Sequence, residues 1–364
     1  MNRMAGRKPA AWPEADRAAW ELANTVSYDV WDDAGKALRL RPWTRKGYAR
    51  AYGIWLAWLD RSGQLDPAEG PGQRPSPERI AGWVRTMRDM GRKNGVIKLY
   101  LMSLHAILAF LAPGTDTSFI LRPGGRSLDE LFPTEPKPFT PHDSGDLLEH
   151  AKALHARGLT DRDGDQRWKA LRDAAIMAML YVYGPRHADI SSMVMGENLR
   201  MTRNGQMIAR FRETATKDKR WREYPLHPVV AAIVRDYLEL ARPHLCGPAE
   251  EDWLWWGKVG EPLTYRGFEG VVRRRNRDFT GVAEGPQMAR KWLTETAKNR
   301  SPEAAFDAAE VAGHTPRVAL RYYAQAVDYH SGGRHGAYIS ELREQLGELA
   351  DRAYAERRQR RGGG

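Results

Sequence analysis

The residues best suited to chemistry lie in one stretch: Gly313-His314-Thr315-Pro316-Arg317-Val318-Ala319-Leu320-Arg321-Tyr322-Tyr323. It places a histidine in a turn and two phenols one short helix later. A phenol with its ordinary pKa of about 10 is a poor nucleophile near neutral pH. One that does chemistry needs cations and a proton acceptor around it. Arg186, Lys217 and Arg290 offer the cations from upstream, and His314 can serve as the acceptor. Alone, a Tyr-Tyr pair on an apolar helix is more often core or interface than catalyst, so the upstream positions decide. Adjacent helix residues point about 100° apart, so only one of Tyr322 and Tyr323 can face a given substrate.

These residues must be positioned by a chain of 364 residues, a length that suggests two or three domains. With 42% hydrophobic residues it can bury real cores. Its 57 Lys+Arg against 46 Asp+Glu give a formal charge of +11, which fits a polyanionic partner, usually nucleic acid. The one cysteine, Cys246, excludes an intrachain disulfide framework and a Cys-rich zinc site, and is compatible with a reducing cytoplasm. No apolar run approaches a membrane span, and the first residues lack the apolar core of a signal peptide.

Residues 1–38 read as a Trp-rich leader with no assigned role. Residues 39–112 read as a small helical domain. Tyr48, Tyr52, Trp55, Leu56 and Leu59 step by three and four, as on an amphipathic helix. Ser76-Pro77 starts a second helix, and Asn94 to Leu111 forms a third. Arg45, Lys46, Arg50, Arg92, Lys93 and Lys98 on the polar faces are candidates to track a DNA backbone. Six prolines make residues 113–141 an interdomain linker.

In residues 142–330, Asp143–Arg157 and Trp168–Tyr183 read as helices, the second central. Gly184-Pro185 stops it and exposes Arg186, with Asp189 three residues on to hold the guanidinium. Residues 198–226 read as strands around an Asn204-Gly205 turn, with a second turn at Lys217-Asp218-Lys219-Arg220. A basic helix from Thr264 carries Arg273, Arg274 and Arg275 toward DNA, and a further helix carries Arg290. In residues 331–364, Ser331-Gly332-Gly333-Arg334 reads as a loop. A helix follows with a narrow seam of Ile339, Leu342, Leu346, Leu349 and Ala353, before a basic end.

In this order and spacing the motifs resemble the tyrosine recombinases, the phage-integrase family of site-specific DNA recombinases. Gly184-Pro185-Arg186-His187-Ala188-Asp189 matches the family's Gly-x-Arg-x-x-(Glu/Asp). Lys217, ahead of Pro225-Leu226, matches its β-hairpin lysine, although Lys219 is an alternative register. Gln287-Met288-Ala289-Arg290 stands where the family has His-x-x-Arg, and Gly313-His314 matches its Gly-His motif. The family's nucleophile follows that histidine by nine residues, which selects Tyr323 over Tyr322. The resemblance covers about residues 40–330.

It implies a mainly α fold with a small antiparallel β-sheet: an N-terminal helical core-binding domain and an α+β catalytic domain. The two would clamp around DNA, with the linker crossing it. It implies cleavage through a 3′-phosphotyrosyl link without metal or other cofactor. Arg186 and Arg290 would clamp the phosphate, Lys217 would protonate the leaving oxygen, and His314 would bind the phosphate or take the Tyr323 proton. Asp189 would orient Arg186. The implied partners are double-stranded recombination sites, a homo-tetramer on DNA, accessory directionality factors and no membrane, in the nucleoid-associated cytoplasm. The C-terminal helix would couple subunits or pack on its own domain.

The departure is Gln287. Glutamine can hydrogen-bond a phosphoryl oxygen but cannot exchange protons near neutral pH. Two further readings therefore stay open: a type IB topoisomerase-like or hairpin-forming enzyme without partner exchange, and a DNA-binding accessory protein with weakened catalysis. Gln287→His is expected to keep or raise DNA cleavage; a large loss would show that the glutamine has a role of its own.

Overall fold

The computed structural model describes residues 5–26, 34–135, 139–211, 222–249, 251–258 and 260–361. The chain forms two compact units, Met1–Pro138 and Phe139–Gly364, each around its own hydrophobic core.

The first unit is helical: α1 (Glu14–Asn24), α2 (Pro42–Arg61), α3 (Pro77–Asp89), α4 (Asn94–Leu111), and the short α5 (Ser118–Leu121) and α6 (Leu128–Leu131). The stop and start signals act as read. The Ser76 hydroxyl caps α3 by accepting from the Arg79 N–H, and Pro77 takes the first helical position, where its missing N–H leaves nothing unsatisfied. α4 is long and apolar enough to cross a membrane by length and composition, contrary to the expectation that no apolar run approaches a span. Ile97, Leu101, Leu104, Ile107, Leu108 and Leu111 instead fill this unit's core. Residues on either side of the three long helices join them. Trp12 and, beyond α4, Ile120, Leu128 and Phe132 are buried in the same core.

A buried ionic cluster ties the unit's amino-terminal segment to its centre. Asp16 of α1, Tyr52 of α2 and Arg74 of the α2–α3 loop are all fully buried. The Arg74 guanidinium donates to both Asp16 oxygens, at 2.8 and 3.0 Å, and to the carbonyl oxygens of Asp66 and Glu69. The Tyr52 hydroxyl donates to Asp16. Burial, and then the Asp16 charge, push the Tyr52 phenol well above its ordinary pKa.

The second unit is built around α8 (Gly164–Tyr183), which is buried on all sides from Ala170 to Tyr181. α7 (Ser144–Thr160) packs along it. After α8 come α9 (His187–Ser191) and a three-stranded antiparallel sheet: β1 (Leu199–Met201), β2 (Met207–Phe211) and β3 (Arg222–Pro225), in that order. The β1–β2 turn contains Gly205 at φ 78°, as an Asn-Gly turn requires. β2 and β3 pair from Ile208↔Pro225 to Phe211↔Arg222. Lys217 and Lys219, on the connection between them, lie outside the described residues. α10 (Pro228–Asp236) passes through a π-type turn into α11 (Arg242–Cys246). Then come α12 (Tyr265–Thr280), α13 (Pro286–Arg300), α14 (Pro302–Val311) and α15 (Pro316–Arg361). The mainly helical fold with a small antiparallel sheet is the class expected from the sequence.

One expectation fails. Residues 331–334 are not a loop; α15 runs through them to Arg361. Gly332 and Gly333 weaken a helix interior by only about 1 kcal/mol each relative to alanine, and helix on both sides outweighs that. On this helix Tyr338, Ile339 and Leu346 are exposed, while the side chains of Leu349 and Ala353 are outside the described set.

Asp16→Ala leaves Arg74 buried without its counter-charge. It is expected to destabilise the first unit by about 3–5 kcal/mol in chemical denaturation followed by tryptophan fluorescence. A loss under about 1 kcal/mol would show that backbone carbonyls alone hold Arg74.

Candidate active site

Two glycine-capped helix ends create the site. α8 ends at Gly184, which has φ 51° and whose N–H donates to the Leu180 carbonyl oxygen. Pro185 cannot continue the helix, so Arg186 is extended and caps α9. A Cβ on Gly184 would come within 3.3 Å of Arg290 Cα, so glycine also permits the close approach of α13. α14 ends the same way. The Gly313 N–H donates to Glu310 O and the His314 N–H to Ala309 O, with Gly313 at φ 76°. This is the double-bonded helix cap that calls for glycine and fixes the residue after it. His314 is thereby held between the cap of α14 and the first turn of α15, which Pro316 begins.

The two ends meet. Arg186 Nη2 donates to the Gly313 carbonyl oxygen at 2.5 Å. Its Nη1 lies 3.9 Å from the buried Asp189 carboxylate, and the Asp189 N–H donates to the Arg186 carbonyl oxygen at 2.9 Å. α9 is held against α12 by His187, whose ring stacks on Tyr265 at 3.6 Å. Arg290 is 5% exposed on α13, and its pKa falls to about 10. Burial is the main cause and the neighbouring Arg186 the next, while Asp189 pulls the other way. The guanidinium stays charged. Its Nη1 is buried without a protein hydrogen-bond partner, as is His314 Nε2.

His314 is pushed down to about pKa 4, first by burial and then by Arg290, Arg186, Arg321 and Arg222. The imidazole is therefore neutral at pH 7. Two guanidiniums and a neutral imidazole with an unused ring nitrogen suit an oxyanion with several acceptor oxygens.

The predicted residues are distributed unevenly. Arg186, Asp189, Arg290 and His314 come together. Gln287 is exposed on the first turn of α13, one turn before Arg290. The Tyr322 ring, not that of Tyr323, packs near His314, with centroids 5.5 Å apart. Tyr322 and Tyr323 flank the stripe of Ala319 and Ala326 that buries α15, and Tyr323 is 38% exposed.

The candidate DNA contacts also divide. Arg275 is held by Asp173 at 2.8 Å and by Asp278, and Arg274 reaches Asp173 at 3.4 Å. Arg273 is exposed, with Glu269 at 3.8 Å. The exposed face of α12 also carries Arg266 and Arg277. In the first unit, Lys98 is paired with Asp129 and Arg45 with Asn24. Lys46 lies over the exposed Trp43 ring; Arg50 and Lys93 are exposed and Arg92 half-buried. Sequence reasoning missed Arg222 and Arg321, both of which act on His314. The period-two pattern of β3 held the signal for Arg222, because it shares a face with Tyr224. Among the described residues no cluster of three His, Cys, Asp or Glu side chains offers a metal site.

No protein-family model matches the chain. It is 24% identical over 233 residues to the tyrosine recombinase XerD of Listeria monocytogenes serotype 4b, covering 63% of this chain and 70% of that one. The XerD of Listeria innocua serovar 6a matches equally, over 234 residues. The fold matches XerH site-specific recombinase, a crystal structure bound to its difH substrate in the pre-cleavage state. The TM-score is 0.53 at 15% identity, over 82% of this chain and 81% of that one. The chain is thus similar in sequence to these tyrosine recombinases and shares its fold with XerH.

The low proton affinity of His314 has a sign that can be checked. Its stabilising neutral form is fully present above its unfolded pKa of about 6.5 and is lost as pH falls toward 4. An anion bound between Arg186 and Arg290 opposes their push. Imidazole NMR is expected to show His314 titrating near pH 4 alone and higher with a phosphodiester bound. Titration near 6.5 in both states would contradict the geometry.

Proposed function

We propose that this chain is a site-specific DNA recombinase that cleaves and rejoins DNA through a 3′-phosphotyrosyl intermediate. The observation that carries the reading is the meeting of Arg186, Arg290 and His314 at the turn that starts the tyrosine-bearing helix. Similarity to XerD and the fold shared with XerH support it.

The Tyr323 oxygen attacks phosphorus, and the bond from phosphorus to the 5′-oxygen breaks. The products are a 3′-phosphotyrosyl ester and a 5′-hydroxyl. The ester conserves the phosphodiester bond energy, so attack by a 5′-hydroxyl from a second duplex reseals the strand without an energy source. Arg186 and Arg290 bind the nonbridging oxygens, where negative charge grows in the transition state. His314 Nε2, neutral and inside the cluster, takes the phenolic proton or passes it through the phosphate. Lys217 protonates the departing 5′-oxygen. Gln287 stands on the Arg290 face of α13 and can donate to the phosphate but not exchange a proton. Asp189 orients Arg186. Arg50, Lys93, Arg266, Arg273 and Arg277 contact the DNA backbone as point charges.

In this reading the active form is a tetramer on two duplex sites, acting in the cytoplasm at the nucleoid. The outer part of α15, with Ile339 and Leu346 exposed, couples subunits. Tyr323 is proposed on spacing, although the Tyr322 ring lies nearer His314. Tyr323 then reaches the phosphate only when α15 turns about its axis or shifts.

A nicked suicide duplex carrying the site is expected to trap a covalent adduct on a denaturing gel, lost in Tyr323→Phe and retained in Tyr322→Phe. The reverse pattern would move the nucleophile to Tyr322. No adduct from DNA-bound wild-type protein would sink the enzyme reading. Arg290→Ala is expected to slow cleavage about 100- to 1000-fold.

A further inference from the structure

β3 joins the hairpin to the histidine turn. Alternate strand residues share a face, so Arg222 and Tyr224 point one way and Glu223 the other, where it meets Arg210 at 2.9 Å and Arg200 at 3.2 Å. The Tyr224 hydroxyl donates to the Val311 carbonyl oxygen at 2.8 Å. The Arg222 guanidinium lies so close over Gly313 that a Cβ there would overlap it. Arg186 grips the same residue through its carbonyl oxygen at 2.5 Å. The end of α14 is thus held at three points, two of them from β3.

Arg222 stands beside Arg186 and Arg290 as a third guanidinium near the turn. Arg222 lowers the proton affinity of both Arg290 and His314. The groups that face His314 are Arg290 of α13, Arg186 ahead of α9, Arg321 and Tyr322 of α15, and Arg222 of β3. In the sequence, Arg222 follows Lys217, the proposed leaving-group acid, by five residues.

We propose that Arg222 is a positioning residue that seats the Gly313-His314 turn, and with it His314 and the first turn of α15, against the Arg186–Arg290 pair. The inference rests on the recombinase reading of the site. It assigns β3 the task of aligning the proton acceptor and the tyrosine helix with the phosphate clamp.

The test compares full-length wild type, Arg222→Met and Arg222→Lys in single-turnover cleavage of the nicked duplex at saturating DNA, from about pH 5 to pH 9. His314 is titrated separately by imidazole NMR without DNA. Arg222→Met is expected to bind DNA with little change and to cleave about 10- to 100-fold more slowly. Its His314 is expected to titrate at higher pH than in wild type, carrying the acid limb of the rate profile upward. Arg222→Lys keeps the charge but not the planar fork, so its rate falls while the His314 titration stays near wild type. Wild-type cleavage by Arg222→Lys, or an unmoved His314 titration in Arg222→Met, overturns the inference, as does a loss that lies wholly in DNA affinity. The titration needs no catalysis. Absence of adduct from wild type therefore counts against the recombinase reading, and an unmoved titration against Arg222.

Discussion

The second unit depends on one crowded arrangement: guanidiniums gathered around a backbone turn, with the Asp189 carboxylate beside Arg186. Gathering like charges in a partly dry site is unfavourable, and the surrounding fold must hold them. Two rigid connections do so. One is the bond from Arg186 to the Gly313 carbonyl oxygen, which joins segments 127 residues apart. The other is the burial of α8 and α13, whose backbones meet at Gly184. The unfavourable charge is then available to an anion that arrives with its own oxygens. A phosphodiester has the charge and acceptor oxygens to suit Arg290 Nη1, a buried donor that lacks a protein partner.

Both ends of the site use the same local physics. A helix stops on a glycine at positive φ, and a proline follows before the next helix can begin. The candidate site residue lies in the connection between the two helices. Gly184-Pro185-Arg186 follows this plan, and so does Gly313-His314-Thr315-Pro316. Burial first, and then the surrounding arginines, keep His314 neutral, which favours proton acceptance over permanent charge.

Much of this was legible in the chain itself. The amphipathic stripes and capping signals located α2, α3, α4, α8, α12 and α13 to within a few residues, because helix periodicity and turn chemistry are local properties. Arg186, Arg290 and His314 were also legible, since each lies beside its own glycine or on its own helix register. Arg274 and Arg275 were not separable from Arg273 by sequence. Which arginine of a basic helix faces Asp173 depends on the rotation of α12 against α8, and that is a packing outcome. The Gly332-Gly333 pair misled for a related reason. A local break signal of about 2 kcal/mol in total yields to a helix that continues on both sides.

The amino-acid sequence by itself determined the candidate site residues: a turn histidine, an arginine after a glycine-proline helix stop, a second arginine on a later helix, and a phenol nine residues past the histidine. Those choices are written in short-range spacing, where backbone geometry leaves few alternatives. Only the tertiary structure decided the company these residues keep. It brought Arg222 and Tyr224 of β3 onto the histidine turn, lowered the His314 proton affinity, and set Tyr322 rather than Tyr323 beside the imidazole. These are contacts between segments far apart in the chain. Their geometry comes from how two helices and a strand pack, which no local pattern encodes.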